Sequence, residues 1–182
     1  MKNIYLFCLV VAPIIWCNAQ SPDNVEDALF KVNALTPGVS YEIGVGNDFT
    51  MNFDALVGIA GGSRGPNDVN VGIFPGLQAE LRYYTNMQRR LARDKNIAGN
   101  SGNYISMNNG ISSGIPIIGT YELASDFYYS LSFEYGLQRM SPKGFYWQIA
   151  LGPALLVDDF DIGPGASLNA TLGWVIGKNK TK

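Results

Sequence analysis

Phe127-Tyr128-Tyr129-Ser130-Leu131-Ser132-Phe133-Glu134-Tyr135-Gly136-Leu137-Gln138 decides the fold. Phe127, Tyr129, Leu131, Phe133, Tyr135 and Leu137 fall on odd positions, while Tyr128, Ser130, Ser132, Glu134, Gly136 and Gln138 fall between them. A helix would scatter the two sets around its circumference, whereas a strand places them on opposite faces. The same period of two runs outward in both directions. Val39, Tyr41, Ile43 and Val45 alternate with Ser40, Glu42, Gly44 and Gly46. After the tight turn Asn47-Asp48, Phe49, Met51, Phe53, Ala55, Val57 and Ile59 oppose Thr50, Asn52 and Asp54, which predicts a hairpin.

A third run covers about Asn70 to Tyr84, reached through a Gly/Pro/Asn/Asp connection over Gly61 to Asp68. A polar loop follows from Thr85 to Gly102, and then a run from Asn103 whose alternation weakens around Ser106 to Gly114. Phe145 to Gly152 and Ala166 to Trp174 alternate cleanly. With Ala28 to Leu35 included, seven runs are clear, and an eighth is sought in Ile115 to Leu123 or Leu155 to Asp161. The apolar parity changes from even to odd near Thr36 to Gly38, which predicts a bulge or a break there.

The chain begins with Lys2, an apolar stretch from Ile4 to Trp16, and Cys17-Asn18-Ala19. This order predicts a cleavable secretory signal over 1–19, cut after Ala19. The expected divisions are then a polar N-terminal segment over 20–27, one strand-built domain over 28–177, and a polar tail over 178–182. Trp16 before Cys17 and Phe7 before Cys8 do not suit a lipoprotein signal. The apolar stretch is also short for a spanning helix. Both cysteines of the chain lie inside the signal, and there is no histidine. Thiol chemistry, the usual zinc ligand and a histidine-activated nucleophile are thereby removed, so the expectation is a non-enzymatic protein without cofactor or metal. Without Lys2, twelve basic residues face fifteen acidic ones, the opposite of a nucleic-acid binder.

Charged residues make up 15% of the chain, less than a soluble domain uses to cover itself, yet no run after the signal is long enough for a spanning helix. The remaining structure that a bilayer accepts is a closed sheet. The predicted fold is therefore all-β, a single up-and-down antiparallel β-barrel of eight strands of roughly ten residues each. Its polar face is rich in Ser, Gly, Gln and Asn, as suits a cramped lumen, and Tyr41, Phe49, Phe127, Phe145 and Trp174 stand where interfacial aromatics are expected. A soluble lipocalin-like binder has the same alternation, with the polar face turned to water.

Several short segments carry a resemblance: Phe30-Lys31-Val32-Asn33, Pro37-Gly38-Val39-Ser40-Tyr41-Glu42, Leu81-Arg82-Tyr83-Tyr84, Asn100-Ser101-Gly102-Asn103-Tyr104-Ile105, Gly144-Phe145-Tyr146 and Leu172-Gly173-Trp174. Through them the chain resembles small Gram-negative outer-membrane β-barrel proteins, including an uncharacterised group with OmpA-like barrels. The resemblance implies an outer-membrane location, contact with lipid and with the barrel-assembly machinery, and no activity. Such barrels usually end on an aromatic residue; here Trp174 is followed by Val175-Ile176-Gly177 and the tail.

Two sets of side chains are candidates for a site. Glu42, Asp54, Glu80, Arg82, Glu134 and Gln148 share the polar face and would meet in one lumen. They would form an internal plug of ion pairs, with an ion path or a lipid-modifying hydrolase site as alternatives. Arg89, Arg90, Arg93 and Lys95 could meet lipopolysaccharide or another anionic ligand, or form a solvated basic loop. Asp158, Asp159 and Asp161 lack the spacing of a calcium loop and read as an acidic turn.

Overall fold

The computed structural model describes residues 24–65 and 68–176. The predicted signal over 1–19, the first residues of the 20–27 segment and the tail over 178–182 lie outside the described residues.

The described residues form nine strands: β1 (Ala28–Asn33), β2 (Gly38–Gly46), β3 (Phe49–Gly65), β4 (Asp68–Tyr84), β5 (Asn103–Ser113), β6 (Ile118–Gly119), β7 (Phe127–Met140), β8 (Phe145–Asp158) and β9 (Ile162–Ile176). Each long strand pairs antiparallel with the next long strand in the chain, and β9 pairs back onto β1, so one sheet closes into a ring. The two-residue β6 hangs on the outer part of β4, through Gly72↔Gly119 and Ile73↔Ile118. One short helix, α1 (Met87–Leu91), interrupts the polar loop between β4 and β5.

Three expectations are corrected. The eighth ring strand lies in neither Ile115 to Leu123 nor Leu155 to Asp161: the first holds only β6, and the second begins with the end of β8. It is β5, whose alternation is hard to read because Asn109 interrupts the outward apolar series and Gly110 adds no contrast on the inward side. The Gly61 to Asp68 connection is mostly strand, since β3 and β4 continue as a ladder up to Ser63↔Val69 and Gly65↔Asp68. Glycine weakens a strand but does not forbid it when the neighbouring ladder is already in register. The strands also run longer than ten residues, to 17 in β3 and β4.

The parity change is explained by a chain reversal. Ala34 to Pro37 form the turn between β1 and β2, so the apolar residues lie on even positions before it and odd positions after it, while facing the same way. A second irregularity, between Gly44 and Gly46, bulges β2 just before the two-residue turn Asn47-Asp48.

An even number of ring strands brings both ends of the described chain to one end of the ring, called here the terminal end. The Asn47-Asp48 turn, the loop 85–102 and the turn 141–144 share that end. The opposite, far end carries the 34–37 turn, the β3–β4 tip, the segment 114–126 and the turn 159–161.

Burial runs opposite to that of a water-soluble domain. Leu168, Leu151 and Phe133 are 71%, 60% and 59% exposed, and Leu, Ile, Val, Phe, Tyr and Trp alternate outward along every long strand. Phe49 packs at a tilt against Tyr83 (4.8 Å between ring centres) and Phe145 edge-to-face against Trp174 (5.5 Å), all four near the terminal end. The interior is polar, with Lys31, Glu42, Thr50, Asn52, Arg82, Asn100 and Gln138 almost fully buried. Two inward tyrosines fill space beside glycines on the next strand. Tyr104 lies against Gly136, its register partner, and Tyr146 against Gly173. A β-carbon on Gly136 would collide with the Tyr104 ring, so the small residue is required by packing.

Candidate functional site: the polar interior

Inward positions converge because a closed sheet sends every second side chain toward one axis. Near the terminal end the centre is Glu42 on β2. Its carboxylate accepts hydrogen bonds from Lys31 Nζ (2.5 Å), Thr50 Oγ1 (2.8 Å), Tyr84 Oη (2.8 Å) and Asn100 Nδ2 (2.9 Å). Arg82 Nη1 lies 3.5 Å from Glu42 Oε2, and Arg82 Nη2 pairs with Glu80 Oε2 at 2.5 Å. Gln138 on β7 closes the network: its Oε1 accepts from Lys31 (3.1 Å) and Arg82 (3.0 Å), and its Nε2 donates to the carbonyl of Gly99 (2.8 Å). The guanidinium of Arg82 also sits 4.8 Å from the centre of the Tyr104 ring, and Lys31 Nζ lies 5.2 Å from that of Tyr146. Buried charges held this way avoid the cost of an uncompensated ion.

The loop 85–102 folds inward to complete this layer. Asn100, fully buried, links Glu42 to the backbone N–H of Glu26, which its Oδ1 accepts at 2.7 Å. Val25, Tyr84, Met87, Tyr104 and Ala150 form a small apolar cluster, with Ile97 against it. The terminal end is thus stoppered by the loop and the segment leading into β1.

Toward the far end the character changes. Asp54 is held by Ser40 Oγ and by Asn52 Nδ2 (2.6 Å). Glu134 is held by Ser132 Oγ (2.6 Å), Ser167 Oγ (2.8 Å) and Asn169 Nδ2 (2.8 and 3.0 Å). Among the described residues neither carboxylate has a cation within salt-bridge reach. Two buried cations, Lys31 and Arg82, therefore face four inward carboxylates. The carbonyl oxygens of Asn52 and Asn108, both buried, have no hydrogen-bond partner among the described residues, nor do Arg82 Nε and Tyr104 Oη. Beyond this level β3 and β9 turn Leu56, Gly58, Ala60, Gly163 and Gly165 inward, and Phe74 of β4 and Tyr121 of the 114–126 segment lie over the inner faces of Gly72 and Gly62.

Of the predicted lumen set, Glu42, Glu80 and Arg82 meet in one network. Asp54 and Glu134 are held separately, and Gln148 is inward and half-buried. Sequence reasoning missed Lys31, Tyr84, Asn100 and Gln138 as partners. Lys31 was legible: Leu29, Lys31 and Asn33 alternate with the outward Phe30 and Val32. Asn100 was not, because nothing in a loop sequence states that it folds into the ring. The basic loop is partly self-bonded, with Arg90 donating to the carbonyl of Asn96 through Nε (3.2 Å) and Nη2 (2.7 Å). Arg89, Arg93 and Lys95 are exposed at the terminal end.

Comparison with known protein families, with curated proteins and with solved structures returns no match for this chain.

Proposed function

We propose that this chain is a non-enzymatic outer-membrane β-barrel, an eight-stranded up-and-down barrel exported by the segment 1–19 and inserted by the barrel-assembly machinery. The observation that carries the reading is the inverted burial: a continuous apolar belt on the outside, and lysine, arginine and glutamate sealed within. In water such a belt far exceeds the apolar patch a monomer tolerates, and in a bilayer it is the required surface. The soluble lipocalin-like alternative would need the apolar face turned inward around a ligand, opposite to the exposures of Leu151, Phe133 and Leu168.

The role that fits is structural or mediated by contacts at the ends. The ion-paired layer and the inserted loop block the terminal end, which supports no wide aqueous channel. Lipid is the principal partner, and Arg89, Arg93 and Lys95 would meet an anionic surface, lipopolysaccharide included, only at the end that carries the chain termini. Membrane fractionation together with gel migration before and after boiling tests the reading. The protein should sediment with the outer membrane and migrate faster unboiled. Recovery wholly in the soluble periplasmic fraction would refute it.

A further inference from the structure

The ring has a low wall on one side. β1 pairs with β9 only over Phe30↔Ile176 to Asn33↔Gly173, and β2 with β3 only as far as Gly38↔Leu56. Single backbone bonds, Ala34 N–H to the Leu172 carbonyl and Val57 N–H to the Pro37 carbonyl, finish the seams. Beyond the 34–37 turn, β9 from Ile162 to Thr171 is paired only to β8, and β3 from Gly58 onward only to β4. The missing hairpin is two strands wide, so the two edges stand about 14 Å apart at its turn, and the gap rises about 25–30 Å along them. This is a lateral notch at the height of the outward apolar residues Ile59, Ile162 and Leu168.

Both edges of the notch lead to a carboxylate without a cation. Ser167 and Asn169, which hold Glu134, belong to the unpaired stretch of β9. Asp54 lies two residues below the last β2–β3 register pair and is held by Ser40 of the short hairpin. Between them runs a row of acceptors. Asn52 is aligned with Glu80, Glu80 with Asn108 and Asn108 with Ser132, which bonds to Glu134. The unpartnered carbonyl oxygens of Asn52 and Asn108 belong to this row. On the outer face of the wall, beside the 34–37 turn, Pro37, Ala55, Val57, Pro75, Leu77 and Phe127 line an open apolar groove that faces the same surroundings as the notch.

We propose that the notch admits an amphiphile from the membrane whose primary ammonium group is received by Glu134 and Asp54 while its apolar chain lies in the gap between β9 and β3. Three N–H donors on a positive head match two carboxylates and unfilled amide carbonyls, and a lateral gap at membrane depth suits a chain that stays in hydrocarbon. The inference rests on the membrane-barrel reading given above.

The test uses the exported chain folded in neutral maltoside micelles, with calorimetric titration of dodecylammonium. One equivalent should bind, at least tenfold more tightly than dodecyltrimethylammonium, which has no N–H donor, and tenfold more tightly than ethanolammonium, which has no chain. Equal binding by lysophosphatidylethanolamine assigns the head to a membrane lipid, and its failure beside successful dodecylammonium assigns a free amine. The paired changes Glu134→Gln and Asp54→Asn should lower affinity at least tenfold. Gly163→Trp, at an inward position of the unpaired β9 stretch where an added carbon meets nothing closer than Asp161 at 3.9 Å, fills the gap and leaves both carboxylates in place, and should do the same. Equal binding of dodecyl sulfate or of the trimethyl compound, or full affinity in either variant, would overturn the proposal. Boiling-dependent gel migration is recorded on each sample, so a protein that never forms a membrane barrel is told apart from a barrel without this site.

Discussion

Consider the removal of Lys31 from the sealed layer by Lys31→Met. Methionine keeps much of the length and apolar stem, so the change isolates the ammonium group. Lys31 is 1% exposed and Glu42 0%. After the change Glu42 retains Thr50, Tyr84 and Asn100 as neutral donors and Arg82 at 3.5 Å, but Arg82 is already committed to Glu80 at 2.5 Å. Breaking a buried pair from one side costs about 3–5 kcal/mol, because the surviving charge is left under-compensated. The residual pull of Arg82 places the expectation near the lower end, about 3 kcal/mol. Glu42→Gln should cost at least as much, since it leaves Lys31 buried with only neutral amide oxygens to compensate its charge. The double variant Lys31→Met/Glu42→Gln should lose less than the sum of the two, by about 1–3 kcal/mol of coupling. Reversible guanidinium unfolding in lysolipid micelles, followed by the fluorescence of Trp147 and Trp174, measures all three. Single losses below about 1 kcal/mol, or strict additivity, would refute the view that this pair is sealed and mutually dependent.

Gly136→Val should destabilise the protein by about 1–3 kcal/mol because Tyr104 occupies its space, whereas Gly46→Ala, whose added carbon would meet Phe49 at an ordinary 3.6 Å, should stay within about 0.5 kcal/mol in the same unfolding assay. Asn100→Ala should cost about 1–3 kcal/mol and expose the loop 85–102 to protease, since it strands the Glu26 N–H and one acceptor site of Glu42. Asp159 accepts from Ser125 Oγ and from the Asp126 N–H, both at 2.7 Å, and these bonds hold its carboxyl below the usual aspartate value. Its contribution to holding the 114–126 segment is then present above the unfolded value and lost as pH falls through the lower folded one. An NMR titration should show the Asp126 amide moving on the acid side of the ordinary aspartate range, and Asp159→Asn should abolish that movement.

The strands were legible wherever side chains of opposite character alternate, because a strand's two faces impose that order. β7 was legible over Phe127 to Gln138 and β9 over Ala166 to Trp174, whereas the parity change near Pro37 reads as a bulge or break in the sequence and is a chain reversal in the structure. β5 was hard to read because Asn109 takes an outward position and Gly110 offers no contrast. The reach of β3 and β4 was hidden by glycines whose strand conformation comes from the neighbouring ladder rather than from their own preference. In the interior, parity correctly assigned Glu42, Glu80, Arg82 and Glu134 to one face. It could not say which of them touch. That depends on the stagger between strands, which carried Lys31 of β1 and Gln138 of β7 to the same carboxylate layer.

The seam between the first and last strands holds only four register pairs, against thirteen between β8 and β9. It also joins residues from opposite ends of the sequence, whose meeting carries the largest loop-closure entropy in the molecule. Closing the circle therefore has the most chain entropy to overcome and the fewest ladder pairs to offset it. Lys31, reaching from β1 to Gln138 on β7, is a cross-brace over that short seam. The charged layer belongs to the assembly of the ring as much as to its finished state.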